Sequence, residues 1–185
     1  VYFDYLKDGE KEKLNLVVEH NKYDILAMVG LLAYIGKILN EPEKVEILHA
    51  EDLVSLTKHY FYCGDLEKAK FCGERVLEKN LSDEISTEIG LNLGRIYKRL
   101  SEWNKAEQVW QNLLAENSNF DLEPYIELAK FYEHRVKDYK KALDLVDKAI
   151  GNLNTSVSNS NDFWLEGLYH RKRRLERKLQ FASVS

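Results

Sequence analysis

The sequence is short of the residues that interrupt helices: two prolines and nine glycines in 185 residues. So little punctuation argues against many short strands joined by tight turns, and leaves room for long helices. Cysteine is scarce too. Cys63 and Cys72 stand nine residues apart, which fits no zinc-ligand pattern, and reads as two free thiols in a cytoplasmic protein. Neither sign of charge is in large excess, and a net charge of −4 gives no basic field over the whole molecule to gather nucleic acid. No secretory signal is visible, and no uncharged apolar run reaches the ~18 residues of a membrane span, so no membrane role is expected. Methionine occurs once, at Met28, and the chain opens on Val1, which reads as a piece of a longer protein.

What is present is a globular share of apolar residues (44%) and an abundance of charge (31%), a mixture suited to an all-α protein. Ser82 to Asn117 reads as two amphipathic helices back to back, with a turn at Ser101-Glu102-Trp103. The same grammar recurs on both sides. Leu56, Thr57 and Tyr60 align with Leu93, Gly94 and Tyr97, and with Leu128, Ala129 and Tyr132; Leu66 and Ala69 align with Trp103 and Ala106, and with Tyr139 and Ala142. A period in the middle thirties marks a helical-repeat array, because each pair must bury its apolar face on the next. Gly94 in a helix interior costs about 1 kcal/mol against alanine, which is sensible only where another helix comes close. On these positions the chain resembles the tetratricopeptide repeat family. The expected fold is an all-α solenoid of about three helix pairs plus a capping helix over 51–185, with 41–50 as a linker.

Residues 1–40 differ in kind. Lys13 to Glu19 is a short amphipathic segment, and Ile25 to Gly36 is a run of twelve uncharged residues between Asp24 and Lys37. A helix apolar nearly all round is a buried one. This one predicts packing on residues 1–18 and the first repeat, a homodimer through residues 25–39, or a natural partner that is missing. Just before the run, His20 and Asp24 are four residues apart and share a helical face. Tyr2, Tyr5, Leu6, Gly9, His20, Asn21, Asp24 and Leu26 together resemble the end of the nuclease domain in bacterial DEDD-type 3′→5′ exonucleases, which have an RNase H-like fold. The resemblance implies that residues 1–40 are the terminal helices of such a domain, incomplete here. It further implies a divalent metal pair (Mg or Mn) in the parent protein, with Asp24 as one metal ligand, His20 as general base, and nucleic acid as substrate. The three other acidic positions of that family would lie upstream, so this chain alone would be inactive and would need no cofactor. The alternative makes Asn21 a helix N-cap and Asp24 a first-turn acid favoured by the helix dipole.

Two further sets of residues carry expectations. Lys58, Asn92, Arg95 and Lys130 have the helical phase of a concave groove that would receive a protein or peptide. Val54, Glu123 and Glu127 stand where a carboxylate-gripping groove would carry basic residues, which argues against that clamp. The last helix, expected to be capped by Asp162 after a polar loop from Asn154 to Asn161, holds six basic and three acidic residues. It reads either as the solvating cap of the array or, through Arg171, Arg173 and Arg174, as a phosphate-contacting strip. Two functions therefore stand open: the end of a metal-dependent exonuclease with a repeat extension, or a non-enzymatic interaction module.

Overall fold

The computed structural model describes residues 7, 9, 11–46, 49–79, 82–116, 121–155 and 161–182. It divides into two compact units, 1–48 and 49–185. Among the described residues there are eight α-helices and no strand.

In the first unit, helix α1 runs without a break from Lys11 to Asn40, and a 3₁₀ turn follows at Pro42–Lys44. Proline and the residue before it stop the helix as expected. The amphipathic stretch and the apolar run are thus one helix, because no proline, glycine pair or capping residue separates them. Asn21 lies ten residues inside α1, which corrects the N-cap reading of that residue.

In the second unit, three hairpins follow in order: α2 (Ala50–Cys63) with α3 (Leu66–Leu77), α4 (Asp83–Arg99) with α5 (Trp103–Glu116), and α6 (Leu122–Phe131) with α7 (Tyr139–Thr155). Helix α8 (Asn161–Ala182) closes the array. Each helix packs on its neighbours in sequence, and α2 also reaches α4. The hairpins share one turn chemistry. Gly64, Ser101 and Lys137 take left-handed backbone conformations (φ 84°, 62° and 62°), and each is followed by an acidic residue. The amides of Asp65 and Glu102 then bond back to the carbonyls of Tyr60 and Tyr97 (2.9 and 2.8 Å), closing the first helix of each pair. Asp65 and Asp138 turn their side chains onward, accepting from the Lys68 and Lys141 amides (3.3 and 3.0 Å) as N-caps of the second helix.

The positions expected to touch do so. Ala69, Ala106, Ala142, Leu93 and Ala129 have no exposed surface, and Leu128 almost none. Gly94 faces the Trp110 ring one turn beyond Ala106: a Cβ placed there would sit 2.2 Å from the indole Nε1. Gly73 against Leu93 and Gly90 against Leu113 repeat the device at 2.8 Å. The third hairpin departs from the others. Ala129 and Ala142 are 13 positions apart against 12 for Gly94 and Ala106, and the extra residue is taken up by a π-helical turn at Tyr132–Val136.

Two boundaries shift from expectation. Helix α7 runs on to Thr155, and α8 starts at Asn161, so Asp162 is a first-turn residue and not the cap. In α8, Leu168 and Leu175 are buried, whereas Trp164 stays half exposed. The likeness carried by Tyr2, Tyr5 and Leu6 lies outside the described residues.

Candidate functional site: the face of α2, α4 and α6

The first helix of each pair places polar side chains next to those of the following pair. Lys58 of α2 bonds Glu88 of α4. Arg95 of α4 grips Glu123 of α6 with two nitrogens, its Nε at 2.6 Å from Oε1. Lys98 of α4 meets Glu127 of α6 at 2.5 Å, and Lys130 closes on the same carboxylate at 2.6 Å. Burial pushes Glu127 up, but hydrogen bonds from Lys130 and Lys98 outweigh it and hold its carboxyl below the usual range. Asn92 accepts weakly from Arg95 (3.5 Å). The expected groove residues are thus brought onto one face, and the three cations among them are each matched by a carboxylate of the same or the next repeat. Glu88 and Lys98 were missed by sequence reasoning. Their signal was charges of opposite sign one repeat apart, half given by Glu123 and Glu127.

A second set of contacts stitches the pairs from behind. The Tyr97 hydroxyl donates to Glu74 Oε1 (2.8 Å), and the Tyr132 hydroxyl donates to Glu107 Oε1 (2.5 Å). In both cases an aromatic of one repeat bonds the second helix of the repeat before it. Burial, then the carboxylate beside it, pushes the Tyr132 hydroxyl up to about 12, and the same causes raise Tyr97.

The basic residues of α8 meet an unexpected partner. Glu133, in the π-turn, has a fully buried side chain. Its two oxygens accept from Arg171 (2.8 Å), Arg174 (2.8 and 2.7 Å) and Lys178 (2.8 Å). Burial alone would raise its carboxyl, but the bonds from Arg174 and Lys178 overcome that and hold it at about 2. Lys172 pairs with Asp147 at 2.7 Å. Of the three arginines expected on a phosphate strip, Arg171 and Arg174 are directed at Glu133, and Arg173 is exposed. This is the geometry of a cap held by a buried carboxylate.

In the first unit, His20 Nε2 lies 3.4 Å from Asp24 Oδ2, with both side chains more than half exposed. The i, i+4 spacing thus brings the pair together. One carboxylate and one imidazole do not make a site for a metal pair, and among the described residues no group of three His, Cys, Asp or Glu could hold a metal ion. Cys63 is exposed and Cys72 buried, both as thiols. Helix α1 also bears on the membrane expectation. By helix length and mean hydropathy, Leu14–Asn40 is long and apolar enough to cross a bilayer, although its longest uncharged run is shorter than a span.

No family model matches the chain. It is 27% identical over 179 residues to an uncharacterized protein of Bacillus subtilis (strain 168), YprB; the match covers 96% of this chain and 42% of that relative, so the chain spans less than half of the relative's length. Among solved structures it is similar to the TPR2B domain of yeast Sti1 in its complex with pHsp70, with a TM-score of 0.55 and 20% identity over 68% of this chain and 96% of that one. The chain is therefore an all-α protein whose fold resembles a tetratricopeptide repeat domain.

Proposed function

We propose that residues 49–185 are a protein-interaction scaffold whose α2–α4–α6 face receives an extended peptide. The observation that carries this reading is the alignment of Lys58, Asn92, Arg95 and Lys130 along one face of stacked hairpins, in a fold similar to that of a domain solved in complex with pHsp70. The same side chains narrow the ligand. Because each of the three cations already holds a carboxylate, a lone acidic terminus must displace an internal partner for every contact it gains. A segment carrying both signs of charge exchanges rung for rung. Titration calorimetry with acidic, basic and mixed-charge peptides, each with a free and an amidated C-terminus, tests this. The expected result is binding of mixed-charge peptides that is indifferent to amidation and lost in Arg95→Glu. Binding that needs the free carboxylate overturns the ligand class, and no binding by any peptide overturns the scaffold reading.

A second reading concerns the parent protein. His20 and Asp24, paired at 3.4 Å and exposed, support their membership of a DEDD-type, RNase H-like exonuclease site completed by carboxylates from outside this chain. In that reading Asp24 is one ligand of a divalent metal pair and His20 takes a proton from the attacking water. In the full-length protein with manganese, on single-stranded DNA and RNA, Asp24→Ala is expected to abolish hydrolysis. His20→Ala is expected to slow it by about 10²–10⁴-fold. Wild-type turnover by Asp24→Ala sinks the assignment.

A further inference from the structure

Among the described residues, most of the exposed large apolar side chains belong to α1, and their arrangement constrains what can cover them. Leu26, Met28, Val29, Leu31, Leu32 and Tyr34 are each at least half exposed. At 3.6 residues per turn, Leu26, Tyr34, Leu31, Met28, Leu32 and Val29 point at about 0°, 80°, 140°, 200°, 240° and 300° around the axis. The apolar surface therefore runs round the whole helix and is not a stripe. A helix packed on one partner buries an apolar stripe a little over ~100° wide, so a second copy of α1 would leave most of this circumference bare. A bilayer would wet every side, and Leu14–Asn40 has the length, but a span that long would carry charged residues into the hydrocarbon. The uncharged segment from Ile25 to Gly36 rises about 18 Å, against about 30 Å of hydrocarbon, and charged Asp24 and Lys37 bound it. An apolar run of about 10–14 residues matches the interior of a folded domain.

We infer that α1 is an interior helix of a second globular domain, enclosed on several sides by apolar residues from polypeptide beyond the 185 residues. The length of the relative supports this occupant. Nearly all of this chain matches YprB, yet more than half of YprB lies outside the match, which is ample for a domain. The inference shares with the nuclease reading only the existence of that additional chain, and needs no chemistry from His20 or Asp24. The remaining gain is an account of exposure itself: bare apolar patches of this extent are rare on soluble chains and mark a surface built to be covered.

The test is amide hydrogen exchange, read by mass spectrometry over residues 25–36 in the complete translation product of the gene and in the 185-residue chain. Light scattering fixes the oligomeric state, and phosphatidylcholine–phosphatidylglycerol vesicles are added in a separate arm. Exchange slower by on the order of 10²-fold or more in the complete monomer without lipid is the expected result, with fast exchange in the 185-residue chain. Equal exchange in the two overturns the inference. So does protection that appears only in a dimer, which makes the occupant a second copy, or only with vesicles, which makes it lipid. A gene product with nothing beyond these residues also overturns it. Nuclease activity is assayed on the same complete protein: an inactive protein with residues 25–36 protected removes the nuclease reading and leaves this one standing.

Discussion

At the scale of single residues, the glycines separate into those that make room and those that do not. Gly94 lies against Trp110, so Gly94→Leu drives a side chain into a fully buried indole and is expected to lower stability by about 1–3 kcal/mol or more. Gly151, in α7, has nothing within 4 Å of where a Cβ would stand. Gly151→Ala is expected to raise the midpoint of thermal unfolding, by up to about 1 kcal/mol of stability, since alanine restricts the unfolded chain and suits a helix. Melting the two variants side by side checks both signs. Glu133 predicts a pH dependence. Its carboxyl is held below its ordinary value, so it contributes stability that is fully present above the unfolded pKa near 4.5 and is lost as pH falls towards about 2. Acid titration of the wild type against Glu133→Gln should show the wild type losing roughly 3 kcal/mol more over that window. At neutral pH, Glu133→Gln leaves three cations around a neutral amide and should itself be destabilising. Gly94 was legible in the sequence because a helical glycine is costly without a close neighbour. Glu133 was not, because one glutamate in a charged turn looks like any other until the π-turn carries it inward.

At the scale of elements, the hairpin is the unit and its turn is the weakest part to have left to ordinary residues. Ser101 and Lys137 hold left-handed conformations that Gly64 adopts freely. Replacing either with glycine relieves roughly 1 kcal/mol of backbone strain, offset in part by the greater freedom of glycine in the unfolded chain. The net gain is expected to be larger at Ser101, since Lys137 closes the π-turn and Ser101 closes none. Denaturant unfolding of Ser101→Gly and Lys137→Gly gives the comparison. The tyrosine stitches behave as a pair: Tyr97→Phe leaves Glu74 without its phenolic donor and should cost about 1.5–3 kcal/mol, with Tyr132→Phe costing a similar amount through Glu107. The recurrence of Tyr60, Tyr97 and Tyr132 was visible in the alignment of the repeats. Their hydroxyl partners were not, since Glu74 and Glu107 are neighbours only after the hairpins stack. Helix ends followed the same division. The start of α3 could be read from Gly64 and Asp65, but the single span of α1 could not, because a change from amphipathic to apolar pattern alters what a helix packs on without ending it.

At the scale of the whole molecule, two compact units predict two separable stabilities. A chain reduced to residues 49–185 should keep a cooperative melt within a few degrees of the parent, with calorimetry as the check, because its buried core of Leu53, Ile89, Leu93, Trp110, Leu128 and Leu175 lies within the second unit. Collapse of the melt on that deletion would show that the repeats depend on the first unit. The repeat architecture was legible from periodicity alone. The character of the α2–α4–α6 face was only half legible, because periodicity places charges on a face without saying which of them will neutralise each other. The π-turn of the third hairpin has a consequence for how such an array can grow. The first two hairpins, with the ordinary 12-residue spacing, are each followed by another hairpin, whose tyrosine bonds a glutamate of their second helix. The third hairpin spends one extra residue to turn an acid inward, and what it then presents accepts a helix bearing arginine and lysine, not another hairpin. It works as a stop codon written in packing: whatever follows Glu133 must bring cations to it, as α8 does, or leave a buried carboxylate unpaired.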